Sequence, residues 1–232
     1  MGVKDINSAL TTGSFIASVE VTFIIATGAA ILSVLVGTPF AYLLARSNFK
    51  FKEVIDAIID IPIMVPHILV GIMIVLAFSS QYGLGPFLHR IGINMFQTLI
   101  GAIVAVTYLS ATYSIRVTES AIKMIDPDVE LTARTLGSTP GFTFTHVIMP
   151  RIWKTIANGA ILTWARAVAE VGALLVVAYY VFFNGNYVYP ASIYIYVGYE
   201  GLTFAGIAGY SAALLLIVLA TFIIYRLVLT HI

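Results

Sequence analysis

The sequence predicts an all-α polytopic membrane protein with about five transmembrane helices, on three observations. Of 232 residues, 60% are hydrophobic and only 10% charged, whereas a soluble domain carries about 25% charged residues. Five stretches without Asp, Glu, Lys or Arg, over 21–45, 61–89, 91–115, 171–199 and 201–225, exceed the ~20 apolar residues that cross a hydrocarbon core about 30 Å thick. The remaining charges gather between those stretches. Helices are required because lipid offers the backbone no hydrogen-bond partner.

Taken in order, the polar start MGVKDINSALTTGS lacks the basic region and short apolar core of a secretory leader, so insertion is expected to rely on the internal helices. Ile6 does not fit the myristoylation pattern. Helices are expected over 15–46, 55–79, 97–124, 152–183 and 203–229. Pro39 should bend the first, and Pro62 and Pro66 should kink the second, because proline removes a backbone donor. Asp60 and His67, seven apart, are expected on one face as part of a hydrogen-bonded kink; a metal site would need more ligands. Gly28, Ala29, Ala30, Gly37, Gly159, Gly172 and Ala173 allow close helix approach. No fixed-period repeat, soluble domain or long linker interrupts the chain, so residues 1–232 read as one membrane domain.

Lys and Arg set the orientation. Arg46, Lys50 and Lys52 follow the first span, and Arg116, Lys123, Arg134, Arg151 and Lys154 flank or occupy the third connection. The second connection holds only Arg90 and the fourth, 183–202, holds neither Lys nor Arg. With five spans the N-terminus is therefore expected outside, with Lys4 counting slightly against it, and the C-terminus in the cytoplasm. Tyr179, Tyr180, Phe182, Phe183, Tyr187, Tyr189, Tyr194, Tyr196 and Tyr199 crowd the fourth connection, as an aromatic belt at the outer headgroup level does.

The third connection, 126–150, is polar yet patterned. Asp126-Pro127-Asp128 suits a helix start, with a capping Asp, Pro in the first turn and acidic groups at the positive dipole end. A short helix over 127–136 follows, Gly137 can end it in a left-handed conformation, and Ser138-Thr139-Pro140 permits a turn into a second short helix. Pro150 stands where the next membrane helix begins. On propensity alone this is either a helix–turn–helix knuckle or a loop with helical tendency.

The segment resembles the signature of binding-protein-dependent ABC importer permeases, written EAA, three residues, Gly, nine residues, I-x-L-P. Aligned on Gly137, the closing quartet is Val147-Ile148-Met149-Pro150; the EAA positions fall on Leu131-Thr132-Ala133, where only Ala133 matches, and Glu130 stands one place early. Gly37-Thr38-Pro39-Phe40-Ala41-Tyr42-Leu43-Leu44-Ala45-Arg46 resembles GTPLAYxLAR in the same permeases. Asp60-Ile61-Pro62-Ile63-Met64-Val65-Pro66-His67 and the run Trp164 to Ala173, WARAVAEVGA, resemble DLPxxxPH and WARxxxEFGA of molybdate, tungstate and sulfate permeases. Ala178-Tyr179-Tyr180 leans toward the molybdate/tungstate branch. The resemblance spans about 15–230 and implies an ABC importer type I permease core. Relatives typically carry six spans, so either five spans are native here or the start omits a helix.

The resemblance further implies that 126–150 is a cytoplasmic coupling segment touching an ATPase subunit through Glu130, Thr132, Ala133, Arg134, Gly137, Ser138 and Pro140. A homodimer with a central pathway, two ATPase subunits and an external oxyanion-binding protein are the expected partners. Arg166 and Glu170, four apart inside an apolar stretch, are able to pair. They face either the pathway and its partner or a purely structural contact nearer the cytoplasmic side. With Asp60, Pro62, Pro66, His67 and Gly172 they are the pathway or packing candidates; an anion in transit should bind there weakly or not at all.

Absent residues narrow the classes. No cysteine excludes thiolate metal sites and cysteine nucleophiles. A net charge of +1 gives no footprint for nucleic acid. No GxxxxGK[ST] is present, so ATP is expected to be hydrolysed by partners and no cofactor is expected. The alternatives are a sulfate/thiosulfate permease, a secondary transporter, which should show inverted repeats, and an intramembrane enzyme built on Asp60, His67, Arg166 and Glu170.

Overall fold

A computed structural model describes residues 3–79, 83–201 and 204–231, and the side chains of 5–79, 83–201 and 207–228. In order, the elements are α1 (Val3–Thr11), α2 (Gly13–Arg46), α3 (Lys52–Met64), α4 (His67–Phe78), α5 (Gly85–Arg90), α6 (Leu99–Lys123), α7 (Pro127–Thr135), α8 (Pro140–Thr143), a π-helical turn (Phe144–Ile148), α9 (Met149–Val168), α10 (Gly172–Val177), β1 (Val181–Phe183), β2 (Asn186–Val188), α11 (Ala191–Gly201) and α12 (Phe204–His231). The Lys4 side chain and residue 203, the expected start of the last helix, lie outside the described residues.

The all-α membrane fold is present. Among the described residues α2, α6 and the Ile207–Val228 part of α12 are long and apolar enough to cross a membrane, and the bent pair α3–α4 makes a fourth if counted as one span. α2 runs through Pro39 without a break. It packs along α6 and α9, and Val21, Ile25, Ala29, Ala102, Val106 and Ala167 close the central core. Gly28 and Gly37 admit the side chains of Ile103 and Ile115 from α6 at distances a β-carbon would crowd. This close approach supplies the van der Waals packing that lipid cannot drive by the hydrophobic effect.

Two expected helices are broken. The second is cut at Val65-Pro66, and α3 and α4 meet at 117°. Val65 is extended, with φ −92° and ψ 138°, because the proline ring excludes the helical conformation of the residue before it. The continuous helix expected over 152–183 is also not formed. α9 ends at Val168, residues 169–171 turn, α10 runs for 6 residues, and a hairpin follows. That hairpin pairs Val181 with Val188 and Phe183 with Asn186. Its turn, Asn184-Gly185, has φ +48° and +83°, the left-handed pair that a two-residue type I′ turn requires. Tyr179, Tyr180, Phe182, Tyr187 and Tyr189 pack edge to face around it.

Candidate functional site: a surface knuckle and a junction of broken helices

At one end of the bundle α7 and α8 form the knuckle. Asp126 accepts from the Asp128 amide at 3.0 Å, and Pro127 occupies the first turn. Gly137 ends the helix at φ +91°, with the Ser138 amide bonded to the Ala133 carbonyl. Thr139 then caps α8 by accepting from the Phe142 amide. This is the helix–turn–helix alternative, and its caps explain why so polar a stretch is structured. The knuckle shows Leu131, Leu136 and Phe142 to the outside, Leu136 at 82% exposure. Thr132, Arg134, Gly137 and Pro140 are also exposed, and Ala133 and Ser138 are half-buried.

Glu130 is placed differently from the other coupling candidates. It points into the bundle, where its carboxylate receives the Arg46 Nε–H at 2.5 Å and the Tyr42 hydroxyl at 2.6 Å. Arg46 also donates to the Ile125 carbonyl. The side chains of Arg46 and Glu130 are 16% and 10% exposed, so the pair is shielded enough to matter mechanically. Glu130 thus ties the knuckle to the end of α2. Arg46 and Tyr42 were legible only as letters of a motif.

Asp60 and His67 do not share a face, because the 117° bend separates them. Asp60 accepts from Arg116 Nε and Nη2, both at 2.9 Å, and Arg116 also reaches Asp56 and Glu119. This network, with Thr112 donating to the Ile59 carbonyl at 2.7 Å, staples α3 to α6. Arg116 read in the sequence only as a flanking positive charge.

His67 instead enters a junction where both helix breaks meet. Glu170, 1% exposed, accepts from Arg166 Nη1 at 3.1 Å and lies 2.8 Å from His67 Nδ1. Its other oxygen accepts from the Ala173 amide at 3.0 Å and so caps α10, and its carbonyl accepts from Ser192 of α11 at 2.6 Å. The buried carboxylate therefore joins three elements, α4, α9 and α10, and the Glu170 backbone carbonyl adds α11. Arg166 and His67 are its partly exposed members, at 25% and 29%. Pro62 is buried on the α3 side of the bend, and Pro66 stands immediately before α4, at its N-cap position.

Glycine lets the two short helices touch. A β-carbon on Gly172 would lie 2.9 Å from the His67 β-carbon, and one on Gly71 would lie 2.9 Å from the Ala173 carbonyl oxygen. Gly71→Val should therefore cost about 1–3 kcal/mol through overpacking, read as earlier thermal unfolding of the purified protein, while Gly201→Val, with open space around it, should change little.

The junction sits at the hairpin end of the bundle. Thr22 of α2 accepts from the Ala191 amide at 2.7 Å, next to the Ser192 that holds Glu170. Thr22 lies 24 residues before Arg46 in one unbroken helix, about 36 Å along its axis. Arg166 and Glu170 therefore hold helices together at the end of the bundle opposite the knuckle.

A family model described as binding-protein-dependent transport system inner membrane component matches residues 37–232. The molybdate/tungstate transport system permease protein WtpB of Thermococcus kodakarensis is 35% identical over 165 residues, covering 71% of this chain and 62% of that protein. Its Pyrococcus abyssi counterpart is 39% identical over 155 residues, covering 67% and 57%. The probable sulfate transport system permease protein cysT of Chlorokybus atmophyticus is 32% identical over 163 residues, covering 70% and 57%. The matched part thus spans about three fifths of each relative's own length. Among solved structures, the inward-facing MetNI methionine ABC transporter aligns with TM-score 0.71 at 19% identity, covering 94% of this chain and 95% of that one. A bacterial alginate ABC transporter, solved with a pentasaccharide-bound periplasmic protein, aligns with TM-score 0.71 at 19% identity, covering 100% and 82%. These two establish the fold.

Proposed function

This chain belongs to the family of binding-protein-dependent transport system inner membrane components, and from that premise we propose that it is the permease subunit of an ATP-driven importer of molybdate or tungstate. The observation that carries the mechanism is the knuckle: an exposed apolar crown anchored to α2 by the Glu130–Arg46–Tyr42 contact. It faces the cytoplasm and docks on an ATPase subunit. The hairpin end faces outside and receives the anion from a binding protein. Two copies form the pathway between them.

ATP-driven closure of the ATPase pair moves the two knuckles as rigid pegs. The buried ion pair passes that displacement to α2 without slack. The capped helices of the knuckle hold the peg rigid, and the Glu170 junction lets α4, α10 and α11 reorient as a unit at the far end. ATP biases the inward-open and outward-open states because ATPase contacts differ between them. Molybdate or tungstate is favoured over sulfate because the molybdate/tungstate permeases compared are 31–39% identical and the sulfate permeases 26–32%.

Uptake of radiolabelled molybdate, tungstate and sulfate into vesicles holding this chain, its ATPase and its binding protein tests the reading. ATP-dependent molybdate or tungstate uptake supports it, and sulfate uptake insensitive to molybdate contradicts the substrate. Gly137→Val should uncouple uptake from ATP while leaving membrane insertion and dimer formation intact. Gly137 has open space around it, so the defect arises from its φ of +91°, a conformation that costs a non-glycine residue about 1–3 kcal/mol. Normal ATP-dependent uptake by this variant counts against a coupling role.

A further inference from the structure

Glu20 has no part in the contacts described so far, and its side chain is exposed. It lies 26 residues before Arg46 in α2, about 39 Å along the axis, beyond the ~30 Å of a hydrocarbon core and level with the hairpin. On one side of it is an apolar groove with Leu10, Ile16, Phe23 and Ile24. On the other is a pocket of about 450 Å³ between α2 and the hairpin, of mixed polar and apolar lining. Among the described residues nothing pairs with its carboxylate.

We propose that this pocket receives a lysine or arginine side chain of the external binding protein, with Glu20 as its counter-charge. The proposal rests on the transport reading above and deepens it. Besides Glu20 the polar groups of the pocket are neutral, Ser14, Asn184, Asn186 and the phenols of Tyr187, Tyr189 and Tyr194, and they stand among apolar walls from Ala17, Phe183 and Val188 that suit an aliphatic stem. Among the described residues no cation lines it, so none of them offers an oxyanion a counter-charge. A single carboxylate is too little for Ca²⁺, which takes six to eight oxygens. An ammonium or guanidinium donates several hydrogen bonds and accepts none, which matches a carboxylate surrounded by amide and hydroxyl oxygens, and tyrosine faces add cation–π attraction.

A macromolecular occupant is favoured by what borders the pocket. Phe182 and Tyr187 stand 62% and 71% exposed on the hairpin, with ring centres 5.5 Å apart. They form an apolar shelf beside a charged hole, the arrangement of an anchor pocket in a protein interface.

The test uses the complete transporter in lipid nanodiscs and titrates binding protein against ATP hydrolysis. Glu20→Lys should raise the half-saturating concentration of binding protein at least tenfold and Glu20→Gln several-fold, with hydrolysis in its absence unchanged. Glu53→Gln, on α3, should leave the titration unaltered. Added salt should weaken binding by the unaltered protein more than by Glu20→Gln. A Lys→Glu or Arg→Glu variant of the binding protein should restore affinity for Glu20→Lys. Unchanged titration of both Glu20 variants, or loss of the dimer in Glu20→Lys, overturns this inference alone. If the unaltered transporter does not respond to binding protein at all, the transport reading falls and this inference with it.

Discussion

Glu130→Ala should abolish ATP-coupled uptake and lower the unfolding free energy by about 3–5 kcal/mol, as expected when one partner of a shielded ion pair is removed and the other stays behind. The stranded group is Arg46, which would keep only the Ile125 carbonyl, while Tyr42 loses its acceptor. The knuckle would still form, because its caps, Asp126, Thr139 and Gly137, are independent of Glu130. The peg would then move without α2. Glu130→Gln should be milder, since an amide oxygen still accepts from the tyrosine. Arg46→Ala alone should uncouple as well, and the double variant should cost less than the sum of the singles. Thermal unfolding and uptake, measured on the same preparations, check this. Full uptake by Glu130→Ala would remove the mechanical role assigned to the pair.

The second large effect is expected at Glu170. Glu170→Ala deletes the cap of α10, the partner of Arg166 and the neighbour of His67 in one step. Losing the cap costs about 1 kcal/mol, and removing the buried partner of the partly exposed Arg166 adds to it, so the yield of folded protein should fall. His67→Ala is the informative companion, because it leaves the Arg166–Glu170 pair and the cap in place. It should fold and bind its partners, with slower uptake if the junction reorients during transport. Limited proteolysis in the 169–171 break reads the local effect: Glu170→Gln, which can still cap α10, should be cut more slowly than Glu170→Ala. Equal cleavage of the two would show that the carboxylate holds nothing there.

Much of this molecule is legible in its sequence where a local rule dominates. Apolar length defines α2, α6 and α12, and cap chemistry at Asp126 and Gly137 marks one of the two readings of 126–150, the knuckle, which the structure forms. Composition also marks Arg166 with Glu170 as a pair. What sequence periodicity misses depends on tertiary contact. Asp60 and His67 share a helical phase on paper, but a proline-imposed turn sends them to different partners. The fourth expected span reads as one helix because nothing local to 169–171 forbids it; at the break Glu170 reaches His67 and the Ala173 amide while keeping the Arg166 pairing that a continuous helix also allows. Asn184-Gly185 is a hairpin signal that stands in the open, overshadowed by the tyrosines around it. The Arg46–Glu130 pair joins residues 84 apart in sequence, a separation that no window of local pattern spans.

The central claim is that the knuckle meets a nucleotide-driven partner inside the cell. The chain has no cysteine, so a single Leu136→Cys variant carries one reactive thiol on the exposed crown. Cross-linking it to single cysteines on the candidate ATPase, with and without nucleotide, is the most direct measurement. The account predicts an ATPase adduct whose yield changes with nucleotide, and no labelling of intact cells by a membrane-impermeant maleimide. Labelling from outside, or no ATPase adduct in either state, would contradict it.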